Sequence, residues 1–124
     1  LLDALEPGLD TLYGTIVDGA PNDPDADQAN VCIFADREVD RSPTGTGTSG
    51  RAAQLFLRQK LALNQTLVNE SIVGSCFKVR VTGTTKVGEF DAVHTEVTGN
   101  AHIMGFNQWV LEDSDPFPQG FFLR

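Results

Sequence analysis

"DRSPTGTGTSGRAA", residues 40–53, sets an acid, a proline, three glycines and a run of threonine and serine hydroxyls at the mouth of a helical pattern. Glycines let a backbone approach a ligand closely, and the free N–H groups of a helix start, aided by the dipole, make a site for an anion. A carboxylate suits such a site as well as a phosphate. Asp40 stands four residues before Thr44 across a Ser-Pro turn, where an acid can pair with a cationic amine. An anion site beside an acid is what a zwitterionic amino acid needs. Spacing leaves Asp40 a second reading as a turn-forming residue that caps Arg41-Ser42-Pro43.

Gly45, Gly47 and Gly50 spell the GxGxxG of dinucleotide sites, but "DREVDRSPT" separates the preceding apolar run from the first glycine and Pro43 interrupts any ladder. A nicotinamide site is therefore not expected. A P-loop fails as well, because no Gly-Lys-Ser/Thr follows.

Working outward, "SGRAAQLFLRQKLAL" predicts a helix capped by Thr48 or Ser49, with Ala52, Leu55, Phe56 and Leu63 on its apolar side. Leu57 and Leu61 widen that face, so the helix is expected to be surrounded by other structure. Upstream, "TLYGTIVDG" reads as a strand, "APNDPDADQ" as a polar loop over residues 20–28, and "ANVCIFA" as a strand buried on both faces. Downstream the period becomes two. "FKVRVTG", "KVGEFDAVHTEVTG", "AHIMG" and "NQWVLED" predict an antiparallel meander separated by glycine turns. The expected fold is α+β, a sheet curled around one hydrophobic helix.

The 124 residues, with 40% hydrophobic side chains and eight phenylalanines, are enough for one domain with a real core. A net charge of −8 with scattered cations excludes a nucleic-acid or anionic-membrane surface. No apolar run reaches the roughly 20 residues that span a bilayer. Cys32 reads as a small core residue and Cys76 as one facing the polar side of its strand; neither has a metal-ligand spacing. The sequons at Asn64 and Asn69 are expected to be unused, His94 and His102 to be surface or satisfied sheet residues, and the location cytoplasmic.

"FADREVDRSPTGTGTSGRAAQL" resembles the second active-site motif of the proline racemase family, which also holds 4-hydroxyproline 2-epimerases and trans-3-hydroxy-L-proline dehydratases. The family pattern is followed at Asp40, Arg41, Ser42, Pro43, Gly45, Thr46, Gly47 and Thr48, with Thr44 in place of a cysteine. The tail "VTGNAHIMGFNQWVLEDSDPFPQGFFLR" is similar to that family's closing segment. The resemblance implies two diaminopimelate epimerase-like α+β halves with the substrate between two helix starts, and residues 1–124 as a single domain forming the C-terminal half. The companion Cys-Gly-His motif is absent here, so the N-terminal half of the same protein is the implied partner, and a homodimer is allowed. By the same resemblance Asp40 takes the substrate ring nitrogen, the amides of Thr44, Gly45 and Thr46 hold its carboxylate, and Phe34 packs against the ring.

Thr44 changes the implied chemistry. Racemisation at Cα needs a base on one face and an acid on the other, and a thiol lowered by a helix start serves both roles. A threonine hydroxyl is too weak an acid for that. A single remaining base with a leaving hydroxyl on C3 gives elimination, as in the trans-3-hydroxy-L-proline dehydratases, with no metal, flavin or pyridoxal phosphate implied. A racemase or epimerase and a non-catalytic amino-acid-binding module are the alternatives.

Overall fold

The computed structural model describes residues 12–122; the predicted first strand began at Thr11, outside them. Five strands form one sheet in sequence order: β1 (Gly14–Gly19), β2 (Gln28–Phe34), β3 (Thr66–Glu70), β4 (Cys76–Val87) and β5 (Phe90–Thr98). The helix α1 (Gly45–Leu57) connects β2 to β3. β1–β2, β3–β4 and β4–β5 are antiparallel, whereas β2 and β3 pair in parallel, because the helix carries the chain back to the starting end of the sheet. The α+β expectation of a sheet around one helix holds in this mixed form.

The core lies between α1 and the β3–β5 side of the sheet. Ala52 of the helix meets Leu61, Leu67, Val79 and Val81, with Leu55, Phe56, Val93 and Val97 packed around them. Val79 and Val81 point inward while Arg80 between them points out and pairs with Glu96 at 2.8 Å, the alternation expected of a half-buried strand. A register shift between Val81 and Gly83 bends β4 over the helix. Cys32 is buried, as expected, but β2 is not covered on both faces: Asn30 and Cys32 face inward and Ile33 is exposed.

The helix starts earlier and stops earlier than its sequence pattern suggested. Thr44, not Thr48 or Ser49, is its N-cap residue, because glycine at 45 and 47 is tolerated in a first turn whose amides need no intrahelical partner. It ends in a Schellman turn: Lys60 N–H donates to the Leu55 carbonyl at 2.8 Å and Gln59 N–H to Phe56 at 2.9 Å, with Gln59 at φ 57°. Leu61 then folds back into the core from outside the helix, and Leu57 is 61% exposed. The wide apolar face is thus only partly covered by residues 12–122. Asn64 sits in an exposed turn beyond the helix rather than closing it.

β3 is absent from the sequence expectation, since the apolar inward Leu67 is followed at the next inward position by Asn69. Asn69 is 0% exposed, so its sequon cannot be reached in the folded chain. Conversely "AHIMG" and "NQWVLED" are not strands. Residues 99–122 are exposed throughout, Trp109 by 89% and His102 among them, and pair with no strand among the described residues. Within that tail Phe117 N–H donates to Asp115 Oδ1 at 2.8 Å and Gly120 closes a turn on the Phe117 carbonyl. Among the described residues no helix is long and apolar enough to cross a membrane.

The helix end gives a test of stability. A left-handed glutamine is strained where glycine is not, so Gln59→Gly is expected to raise stability by about 0.5–1 kcal/mol. A higher urea midpoint with unchanged slope checks this; a lower midpoint would overturn the assigned helix end.

Candidate functional site

The start of α1 lies hard against β1. A Cβ on Gly47 would meet the tip of the Ile16 side chain, which would have to turn aside to admit it. On the strand side Gly14 faces Phe34 across the β1–β2 pair, and a Cβ there would come within 3.1 Å of the Phe34 ring and 3.2 Å of Cys32 Sγ. The space so framed is an open cavity of about 310 Å³.

Phe34, Asp40, Thr44, Gly45 and Thr46 all line this cavity. Sequence reasoning had not placed Tyr13, Ile16, Cys32 and Gly47 there, although they line it too. The signal for Tyr13 was its place beside Gly14 in an alternating strand. Its ring stacks on Phe34 with centroids 6.2 Å apart and planes within 6°, giving the cavity an aromatic wall. Cys76 stands elsewhere, near Asp23. Burial, with the Asp23 and Glu70 carboxylates, pushes its thiol above the ordinary 9.0, so it stays protonated and is a poor nucleophile.

Asp40 is fixed at both ends. Its own N–H donates to the Cys32 carbonyl at 3.0 Å. Its Oδ1 accepts the Ser42 N–H at 2.8 Å, and its Oδ2 accepts the Thr44 hydroxyl at 3.2 Å. The turn-forming reading of Asp40 is therefore realised, and the same geometry leaves the carboxylate lining the cavity. Desolvation works to raise its pKa, but the Ser42 and Thr44 donors together with the Arg41 charge outweigh it and hold the carboxyl below the ordinary 3.8. Asp40 is thus a standing negative charge at neutral pH.

Thr44 does not cap the helix through its side chain, since its hydroxyl is turned to Asp40. Its own N–H donates to Ser42 Oγ at 3.1 Å, so of the three amides expected to hold a carboxylate it is already engaged. The N–H groups of Gly45 and Thr46 belong to the first turn and have no partner within the helix. Thr44 adopts φ 63° and ψ 104°, a region a β-branched residue avoids at a cost of order 1–3 kcal/mol. The site accordingly presents amide donors at a helix start, a fixed carboxylate a short distance away, and an apolar ring-sized wall. That arrangement can bind a cyclic molecule bearing both a carboxylate and a protonated amine.

Asp40 supplies a pH test. Because its carboxyl titrates lower in the folded chain, the stability it contributes is fully present above the ordinary value and is lost as pH falls through the folded one. The stability difference between the wild type and Asp40→Asn is expected to stay constant from about pH 5 to 7 and to shrink below about pH 4. Chemical denaturation across that range checks it, and a difference that grows on acidification would refute the assignment.

Comparison with known proteins identifies the family. The sequence matches the proline racemase family over residues 3–122. It is 57% identical over 118 residues to a 3-hydroxyproline 2-epimerase of Burkholderia multivorans and 56% identical over 118 residues to a trans-3-hydroxy-L-proline dehydratase of Burkholderia ambifaria. Each match covers 95% of this chain and 35% of the relative, so the chain spans about a third of the length of these relatives. The crystal structure of a hydroxyproline epimerase from Agrobacterium vitis with bound trans-4-hydroxy-L-proline superposes with a TM-score of 0.70 at 32% identity, over 90% of this chain and 32% of that one. With the fold, the motif and nearly the whole sequence in accord, the chain belongs to the proline racemase family.

Proposed function

We propose that residues 1–124 form a single α+β domain contributing one half-site of a cofactor-independent enzyme that dehydrates trans-3-hydroxy-L-proline to a pyrroline-2-carboxylate. The observation that carries the reading is Thr44: a hydroxyl, hydrogen-bonded to Asp40, occupies the helix-start position where a two-base racemase needs a thiol. The relatives named above lend support, since two of them carry names for enzymes of 3-hydroxyproline. The partner surface is the N-terminal half of the same polypeptide, a homodimer is compatible with it, and the expected location is the cytoplasm.

On this reading Asp40, ionised at neutral pH, accepts the ring ammonium, while the Gly45 and Thr46 amides hold the carboxylate. Phe34 and Tyr13 pack against the ring. A base on the other half removes the Cα proton. The electron pair of that C–H bond forms the Cα–C3 double bond as the C3–O bond breaks, and the departing hydroxyl takes up a proton and leaves as water. Charge building on the carboxylate during proton removal is stabilised by the preorganised amides and the helix dipole. Thr44 cannot return a proton to Cα, so inversion has no route through this half.

A second reading, epimerisation at Cα, is favoured by the 57% identical relative that bears an epimerase name. It requires another residue as second base. Incubating the full-length protein with trans-3-hydroxy-L-proline in deuterated water separates the two: dehydration yields the enamine, which loses its N–H proton and takes a solvent deuteron at C3 to give the cyclic imine acid, whereas epimerisation yields a Cα-deuterated diastereomer with its hydroxyl retained. Turnover of proline with none of the 3-hydroxy substrate would overturn both.

Thr44→Cys tests the role of the missing thiol. The helix start lowers the new thiol's pKa, and substrates without a C3 hydroxyl cannot eliminate. The variant is expected to gain racemisation of L-proline by roughly 10²-fold over the wild-type background, as one positioned acid/base supplies. Chiral chromatography reads the gain. A folded variant that exchanges no Cα proton would show that the thiol is not what separates this protein from the racemases.

A further inference from the structure

The amides at the start of α1 are useful only if the peptide before them is held in one orientation, and the residue that holds it lies outside the motif. The Pro43 carbonyl points into the protein, where two buried side chains converge on it. Thr48 donates its hydroxyl to that oxygen at 2.7 Å, and Asn69 donates Nδ2 to it at 3.3 Å. Asn69 Nδ2 also donates to Thr48 Oγ1 at 2.8 Å, which closes a three-membered ring of hydrogen bonds. Both amide hydrogens of Asn69 are thereby used, and its Oδ1 accepts from Gln28 Nε2 at 3.2 Å. Gln28 in turn accepts from Arg51 Nε at 3.2 Å, and Arg51 pairs with Asp18 at 3.3 Å. Pro43, Thr48 and Asn69 are all fully buried.

We propose that Asn69 is a positioning residue: by fixing the Pro43 carbonyl it sets the Pro43–Thr44 peptide, keeps Thr44 in its left-handed conformation, and so aims the Gly45 and Thr46 amides at the ligand carboxylate. The peptide is planar and trans, so a carbonyl locked inward places the Thr44 N–H outward, where it meets Ser42. From there φ 63° at Thr44 directs the chain into the helix, and the Thr44 carbonyl accepts the Thr48 N–H at 2.8 Å. A β-branched residue does not hold positive φ unaided. Without the clamp, Thr44 relaxes to negative φ and the following amides rotate away. The chemistry of Asn69 suits the task better than a hydrophobic residue of its size, because only an amide donates to two acceptors and accepts from a third group at once. Its burial explains why the donors are reliable: in a dry interior neither carbonyl nor amide has water as an alternative.

The inference rests on the reading of the helix start as a carboxylate site, and pyrrole-2-carboxylate, a planar five-membered carboxylate, is the probe. Calorimetry with the full-length protein measures its affinity for the wild type, Asn69→Leu, Thr48→Val, and Asn69→Leu combined with Thr44→Gly. Asn69→Leu is expected to weaken binding at least tenfold at a temperature where circular dichroism finds it folded. Thr48→Val, which removes one member of the ring and keeps shape, should weaken it about threefold, and it decides the matter if Asn69→Leu does not fold. Glycine accepts positive φ freely, so Thr44→Gly should reduce the effect of Asn69→Leu by threefold or more. A structural role alone would lower the melting temperature and leave the affinity unchanged, which would overturn the proposal. A wild type that does not bind the probe would overturn the carboxylate-site reading itself, and this proposal with it.

Discussion

The packing of α1 through Ala52 against Val79 and Val81 of β4, with Val93 and Val97 of β5 beside them, governs this molecule. That packing fixes where the helix starts, and there Phe34 from β2, Asp40 from the connecting loop and the first-turn residues line one cavity. The rest of the fold serves that placement. The core of Ala52, Val79 and Val81 anchors the helix body, and the parallel β2–β3 pair follows from the chain returning beneath it. Ten residues separate the end of β2 at Phe34 from the start of α1 at Gly45, a span a dinucleotide fold does not have and which here holds Asp40.

Electrostatics operate locally against the global sign. The protein carries −8 overall, yet the cavity pairs a helix start that attracts anions with a carboxylate that attracts cations. Neither half of this pair is strong in water. Their value lies in separation: a zwitterion satisfies both, whereas a simple carboxylate meets Asp40 as a like charge and a simple amine meets the positive end of the helix. Such an arrangement could favour an amino acid without an additional group.

The sequence made the helix, β1, β2 and the β4–β5 hairpin legible from local signatures, whereas the candidate site residues, which line one cavity, came largely from the family resemblance. Phe34 ends an apolar run, Asp40 opens a Ser-Pro turn, and the glycines mark the helix mouth. What it hid came from burial of polar groups and from partners distant in sequence. β3 escaped because Asn69 and Glu70, both buried, break the apolar alternation while spending their polarity on Pro43, Thr48 and the loop amides of Asn22 and Asp23. The tail erred in the opposite sense. "AHIMG" and "NQWVLED" have the period of strands, but a period states only which face would be apolar, and residues 99–122 pair with no strand among the described residues. Gly45 and Gly47 shifted the helix start, since propensity penalises them.

The hydrogen bond between Thr44 and Asp40 constrains what the hydroxyl can do. A carboxylate offers about four lone-pair sites, and two donors, the Ser42 amide and the Thr44 hydroxyl, occupy one on each oxygen; the remaining sites face a cation unopposed. The proton of Thr44 is thus committed to Asp40. For Thr44 to protonate a departing hydroxyl it would have to break that bond and be left an alkoxide beside a carboxylate already held ionised, two negative charges within hydrogen-bond distance. Acting instead as a fixed donor, Thr44 keeps Asp40 ionised and oriented and takes no proton itself. A thiol, the weaker hydrogen-bond donor, would hold Asp40 less firmly while adding a base. On the proposed reading, threonine at this position exchanges a possible proton site for a firmer hold on Asp40, which would suit a reaction that removes a Cα proton without returning it.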